Sequence, residues 1–376
     1  MAPEQADREE HGITYAESGV DYESIDPAKV LAQRAAASTA DQLLPHGFNE
    51  VSASRGESAY AWEEPDAYRV LVVECLGTKS LVADATREVT GQTYYDAIAQ
   101  DTVAMIVNDV VAIGAAPVVV NAYWAIGDSA WFEDRQRAAD LVRGWADACE
   151  ASGAAWGGGE TPALSGIVAP DAIDLAGGCV GIVKPKVRLT LGDRLGPGDA
   201  VVLLASSGIH ANGLSLARRI ADELPDGYAT DIGDGTMFGE ALLVPTQLYP
   251  RTVAGLFDAG IDVHYMSNLT GHGWRKLMRA NADLTYVMEM VPPVTPLFAF
   301  LVEHGGLTDE EAYGTLNMGA GFAVYVSEEE APVVVEVAAK HGIEAWVAGR
   351  VEAGPRSVRI NPLGVAYEGE SLDVRG

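Results

Sequence analysis

Several stretches of the chain gather polar groups where packing alone would not put them, and each could do chemistry. Glu74-Cys75-Leu76-Gly77-Thr78-Lys79 brings a carboxylate, a glycine, a hydroxyl and an ammonium together at the end of an apolar run. That set could hold Mg²⁺ and a phosphate at once, or serve as a solvated strand-to-loop turn. Asp101, Asn108 and Asp109 flank an apolar stretch, Val103-Ala104-Met105-Ile106-Val107. On a helix Asp101 and Asn108 share nearly one face, with Asp109 about 80° further round. Buried carboxylates are costly unless hydrogen-bonded or bound to a cation, which favours metal binding over a helix with one wet edge.

Gly157-Gly158-Gly159-Glu160-Thr161 reads as a turn whose N–H groups could converge on an anion, with Glu160 helping to hold the accompanying cation. It has neither the Gly-Lys-Ser/Thr ending of a Walker loop nor a dinucleotide fingerprint, so a plain turn is the competing reading. Ser206-Ser207-Gly208-Ile209-His210-Ala211-Asn212-Gly213 opens a helix carrying Arg218 and Arg219. A helix N-terminus with Ser, Gly and Asn before it suits an anion, and His210 could donate to a phosphate or move a proton near neutral pH. An N-cap beside a surface histidine is the plainer alternative. Asn268-Leu269-Thr270-Gly271-His272-Gly273, followed by Arg275 and Lys276, forms a second local concentration of basic groups.

The elements that must position these residues follow from periodicity. Tyr68–Val73, Pro117–Tyr123 and Cys179–Val183 read as strands, and Tyr95–Ile113 and Glu133–Ser152 as helices stopped by Gly114 and Gly153. A Gly/Pro-rich run, Leu191–Asp199, separates the halves. The theme then restarts, with strands at Ala200–Ala205, Thr285–Met290, Gly319–Val326 and Ile343–Val351. Helices are expected at Leu214–Leu224, Thr252–Ala259, Pro296–His304 and Glu330–His341. Strands and helices in mixed order predict an α+β (mixed α/β) fold in two domains, residues 12–185 and 186–355, with a disordered segment 1–11 and a tail 356–376.

Composition bounds the function. With 54 acidic against 25 basic side chains and a formal charge of −29, the surface repels phosphate backbones and anionic lipid heads, which argues against nucleic-acid and membrane-surface binding. A phosphate-bearing substrate must therefore be received by a metal ion or a local basic cluster. Cys75, Cys149 and Cys179, an odd number without CxxC spacing, argue against a disulfide framework and a structural zinc site. The polar N-terminus lacks a secretory core, and the longest apolar stretch, Val103–Val120, is broken by Asn108, Asp109, Gly114 and Pro117. The expectation is a cytoplasmic protein.

Taken in order, these segments resemble the phosphoribosylformylglycinamidine cyclo-ligase family, also called aminoimidazole ribonucleotide synthetase, from about Tyr15 to about Val351. The likeness begins at Tyr15-Ala16-Glu17-Ser18-Gly19-Val20-Asp21 and runs through Gly77-Thr78-Lys79, Asp101…Asn108-Asp109 and Gly158-Gly159-Glu160-Thr161. It continues through Ser206-Ser207-Gly208…His210…Asn212-Gly213, Leu243-Val244-Pro245-Thr246…Tyr249, Thr270-Gly271-His272-Gly273 and Leu316-Asn317-Met318-Gly319-Ala320-Gly321. Where the family opens its phosphate motif with Asp-Gly, this chain has Glu74-Cys75, and His272 replaces a family glycine.

The resemblance implies an N-terminal domain whose strands join a partner's in a cross-dimer sheet or barrel, a homodimer with ATP in the cleft around it, and a C-terminal α+β domain. It implies ATP-dependent ring closure of formylglycinamidine ribonucleotide, a small phosphorylated substrate, through phosphoryl activation of the formyl oxygen. By position it assigns Glu74, Asp101, Asp109 and Glu160 to Mg²⁺, and Lys79 to the triphosphate, with Lys79, Asp109 and His210 as the catalytic set. Gly77, Thr78, Asn108, Gly158, Gly159 and Thr161 fall to the nucleotide. Ser207 and Asn212 lie near the substrate or transferring phosphoryl, with Thr270 and Gly271 lining the cleft. The alternatives are a paralogous ATP-dependent kinase or synthetase acting on another small substrate, and a nucleotide-binding module without chemistry.

Overall fold

The computed structural model describes residues 22–372. The expected disordered segment 1–11 and the Tyr15–Asp21 motif lie outside the described residues. The first half contains helices α1 (Tyr22–Ala37), α2 (Lys79–Thr90), α3 (Tyr95–Ala112) and α4 (Arg135–Ser152). Its strands are β1 (Asn49–Glu50), β2 (Tyr60–Glu63), β3 (Tyr68–Cys75), β4 (Ala116–Ile126), β5 (Ala155–Glu160) and β6 (Ile173–Val183). They form one six-stranded sheet in the order β1-β2-β3-β6-β4-β5, antiparallel except for the β4–β5 pair.

The alternation of β3 explains how this sheet is used. Val70 and Val72 are buried against α3, whereas Leu71 and Val73 are 42% and 72% exposed on the opposite face. Val118 and Tyr123 of β4 are also exposed, at 40% and 37%. One side of the sheet is thus covered by helices, and the other presents apolar side chains to solvent. Helix α3 is buried on nearly every side because its stretch of Val, Ile, Ala and Met is apolar all round.

The expected turn at Gly157–Thr161 is instead strand β5 as far as Glu160. Its glycines permit close approach of neighbouring groups: a Cβ on Gly159 would lie 2.1 Å from the Ala122 carbonyl oxygen, and one on Gly157 2.4 Å from Asn121 Oδ1. Gly159→Val is expected to lower stability by roughly 1–3 kcal/mol through this clash. A thermal midpoint equal to that of the parent chain would show that the β4–β5 pair does not need the missing side chain.

The second half carries β7 (Ala200–Ala205), α5 (Leu214–Glu223), α6 (Phe238–Leu242), α7 (Pro250–Asp258), β8 (Tyr265–Asn268), β9 (Leu284–Met288), α8 (Pro296–Gly305) and α9 (Asp309–Thr315). Then follow β10 (Ala320–Val326), α10 (Ala331–Lys340), β11 (Ala345–Ala353), β12 (Ser357–Ile360) and β13 (Val365–Glu368). The seven strands run β13-β12-β9-β11-β7-β10-β8, with β12 parallel to β9 and the other pairs antiparallel. The central strands β7 and β10 are apolar runs buried on both faces.

Within the expected tail at 356–376, β12 and β13 complete the second sheet, with Val358 and Ile360 fully buried, while residues 373–376 lie outside the described residues. Among the described residues no helix is long and apolar enough to cross a membrane.

Candidate functional site

Helix α3 is the spine of the site, because its polar residues reach into the second half at several levels. Near its start, the ammonium of Lys79, the first residue of α2, lies 2.8 Å from each carboxylate oxygen of Asp101. Both side chains are fully buried. Burial pushes the Asp101 carboxyl up and the Lys79 ammonium down, and each charge opposes the shift of the other. Lys79 also donates to the Val244 carbonyl, 3.1 Å away. The Thr246 amide donates to Asp101 Oδ1 at 2.8 Å, and the Thr246 hydroxyl donates to the same oxygen.

Two more contacts extend this clamp. Gln100 Nε2 donates to the Thr246 carbonyl at 2.9 Å. Asn108 accepts from the Tyr249 amide at 3.0 Å and donates to the Gln247 carbonyl at 2.9 Å. The polar edge of α3 therefore holds the segment 244–249 across the boundary between the halves. Ser207 Oγ in turn donates to the Pro245 carbonyl at 2.6 Å. Its loop is fixed from the other side by Asn317, whose Nδ2 donates to the Gly208 and Ile209 carbonyls at 2.9 and 3.2 Å.

These contacts and burial describe the surroundings of three residues given roles by the resemblance. Lys79, expected at the triphosphate, is bonded to Asp101 and Val244 inside the protein. Asn108, expected at the nucleotide, has both ends of its amide committed to the backbone of 247–249. His210 is only 2% exposed, with a left-handed φ of +61°, and its Nε2 accepts from the Ser207 amide at 3.2 Å. Burial, with the Lys79 charge adding to it, holds the imidazole down to about 3. It is therefore the neutral imidazole near neutral pH.

One turn from the end of α3, Asp109 meets Glu74 of β3. Burial, reinforced by the Asp109 charge and a hydrogen bond between the two side chains, pushes the Glu74 carboxyl up to about 7. Asn268 Nδ2 donates to Asp109 Oδ1 at 2.7 Å. Glu74 lines a cavity of about 300 Å³ with Glu57, His272, Lys276 and Arg279, and a groove of about 650 Å³ between α1 and β2–β3 also ends at Glu74. Burial beside Arg279 holds the Lys276 ammonium down to about 8, while Asp109 and Glu74 pull it the other way. Lys276 Nζ donates to Thr270 Oγ1 at 2.8 Å, so the Thr270–Gly273 turn shapes this cavity. Gly77, with φ +74°, makes the turn between Glu74 and α2.

The four carboxylates assigned to Mg²⁺ do not converge within one chain. Asp101 lies about 12 Å along α3 from Asp109 and is taken by Lys79. Cross-strand register puts Cys75, Ala176, Tyr123 and Glu160 in one row, so Glu160 shares the open face with Tyr123 and lies about 14 Å across the sheet from β3. Glu74 points to the other, helix-covered face. Gly158, Gly159 and Thr161 belong to this same exposed edge and line neither cavity at Glu74. Among the described residues no group of three or more His, Cys, Asp or Glu could hold a metal ion. Glu74 and Asp109 nevertheless fit Mg²⁺. That ion is commonly held by one or two carboxylates with the remaining positions filled by water and substrate phosphates, and a cation would relieve the repulsion that raises Glu74.

Ser207, with Ser206 and Gly208, lines a separate cavity of about 230 Å³. Asn212 is half-buried, and its Nδ2 has no hydrogen-bond partner among the described residues. Thr78 caps the start of α2 without a side-chain cap bond. Sequence reasoning missed Arg279, Glu57 and Gln100. They stand alone in unrelated segments and gain meaning only from the fold.

The AIR synthase related protein N-terminal domain matches residues 56–183, and the corresponding C-terminal domain matches residues 196–360. The chain is 34% identical over 342 residues to phosphoribosylformylglycinamidine cyclo-ligase of Methanococcus maripaludis, covering 90% of this chain and 92% of that one. It is 37% identical over 370 residues to the protein of the same name from Symbiobacterium thermophilum, covering 93% and 99%. Among solved structures, AaThiL complexed with AMPPCP and TMP superposes with a TM-score of 0.57 at 15% identity, covering 83% of this chain and 90% of that one. The matches span both sheets, and the chain belongs to the phosphoribosylformylglycinamidine cyclo-ligase (AIR synthase) family.

Proposed function

We propose that the chain is an ATP-dependent cyclo-ligase that closes formylglycinamidine ribonucleotide to aminoimidazole ribonucleotide in purine biosynthesis. The observation that carries this reading is the meeting of Glu74 and Asp109 with Lys276 and Arg279 beside one cavity. It lies in a chain that matches cyclo-ligases over nine-tenths of its length. In the proposed reaction the formyl oxygen attacks the γ-phosphorus of ATP, and ADP leaves. An amidine nitrogen then attacks the activated carbon, inorganic phosphate departs with that oxygen, and a proton is lost from nitrogen. Such chemistry rests on positioning and on neutralising phosphate charge.

Glu74 and Asp109 would hold Mg²⁺, which supplies charge neutralisation at the phosphoryl oxygens when bound. Lys276 and Arg279 offer cationic donors to anionic groups entering the cavity. The clamp from Lys79, Asp101 and Thr246 fixes segment 244–249 and, through Pro245, the Ser207 loop. Purified protein given ATP and formylglycinamidine ribonucleotide is expected to release ADP and aminoimidazole ribonucleotide in equal amounts. ADP release with thiamine monophosphate but not with formylglycinamidine ribonucleotide would transfer the assignment to a paralogous kinase.

The proposal includes a homodimer and a cytoplasmic setting. The exposed side chains of Leu71, Val73, Val118 and Tyr123 form an apolar sheet face suited to a second copy of the chain. The free thiols of Cys75, Cys149 and Cys179 suit a reducing compartment. Val73→Arg is expected to convert the dimer to monomer, measured by light scattering on the eluting peak. A dimer that survives this change would place the interface elsewhere.

A further inference from the structure

We propose that a crevice between the two halves, remote in sequence from the cavity at Glu74, binds a small organic anion with a flat apolar body, of which benzoate is the simplest representative. The crevice has a volume of about 250 Å³, room for on the order of eight waters at their liquid share of ~30 Å³ each. Val111 at the end of α3 and Pro117 at the start of β4 form part of one wall; Val253, Ala254 and Phe257 of α7 form the other. The walls suit a ring.

The polar groups point to what the ring carries. Ser152, the last residue of α4, lines this crevice and is 4% exposed, and its Oγ has no hydrogen-bond partner among the described residues. A helical serine commonly bonds back to the preceding turn; this one does not, and its oxygen is shielded from solvent beneath the crevice wall. Arg251 is fixed across the boundary by donating from Nε to the Ala151 carbonyl at 2.8 Å and from Nη2 to the Glu150 carbonyl at 3.3 Å. Its Nη1 is unbonded among the described residues. The Arg188 guanidinium lies 5.1 Å from the centre of the Phe257 ring and is only loosely paired, at 3.5 Å, with Asp258. The third cation lining the crevice, Lys184, is engaged by Asp66. In a chain of net charge −29, two guanidinium groups held at a mostly apolar crevice mark a place for a carboxylate.

The test is isothermal titration of the full-length protein with benzoate, inorganic phosphate and benzyl alcohol, which separate the whole ligand from its charge and from its ring. Benzoate is expected to bind at least tenfold more tightly than either of the others. Arg251→Ala is expected to weaken benzoate by roughly tenfold or more, the value of a charge-assisted hydrogen bond. Ala254 is exposed on α7, so Ala254→Phe can fill the crevice without entering a core, and it is expected to lose benzoate binding while keeping the parent thermal midpoint. Phosphate binding as tightly as benzoate, an affinity untouched by both substitutions, or no benzoate binding at all would overturn the proposal.

Discussion

Lys79→Met is expected to destabilise the protein by about 3–5 kcal/mol, because it leaves the Asp101 carboxylate buried without its cation. Both side chains are fully buried, and the pair joins α2 to α3 and, through Val244 and Thr246, to the second half. A second change should restore much of the loss. In Lys79→Met/Asp101→Asn the charge is gone, while the amide oxygen can still accept from the Thr246 N–H. Urea unfolding of the parent, the single variant and the double variant gives the coupling directly. A Lys79→Met variant of parent stability that has lost ATP turnover would return Lys79 to the substrate. The clamp would then be incidental.

How far such a clamp could be read in advance depends on distance along the chain. Helix α3 and strand β7 are legible because each is a near-continuous apolar run of the right length. Helix α2 is hidden, since its buried face includes Lys79, Ser80 and Thr86 beside Val82 and Ala83, so no apolar period stands out. Strand β5 looks like a turn because three consecutive glycines are the ordinary mark of one. Only the neighbouring strand shows that their missing side chains serve close packing.

The site divides in the same way. That Glu74 and Asp109 belong together is suggested by residue type and motif order, and the two side chains do meet. That Asp101 belongs to Lys79 is not, because a partner 22 residues away on another helix leaves no local trace. The setting of His210 is unreadable for a related reason: its protonation state is set by burial, which a polar-looking Ser-Gly-His-Asn segment conceals.

Asp109→Asn is expected to lower ATP turnover roughly 10²–10³-fold, the range found when one element of a preorganised electrostatic site is removed. The argument rests on the pair. Two carboxylates in hydrogen-bonding contact away from water repel one another, and Glu74 responds with its affinity for a proton raised from an ordinary 4.5 to about 7. The folded protein then binds this proton more tightly than the unfolded chain does. The pair's contribution to stability is therefore greatest below the ordinary carboxyl value and is lost as pH rises through about 7. Mg²⁺ competes with that proton, so it should raise the thermal midpoint more above neutrality than well below it. In Asp109→Asn one charge is removed: the fall in stability with pH should shrink, and the Mg²⁺ effect should fade with it. Turnover at the parent rate, or a Mg²⁺-induced rise in midpoint as large in Asp109→Asn as in the parent, would remove the pair from the site. Glu74 would then be a buried acid held beside Lys276 for structural reasons alone.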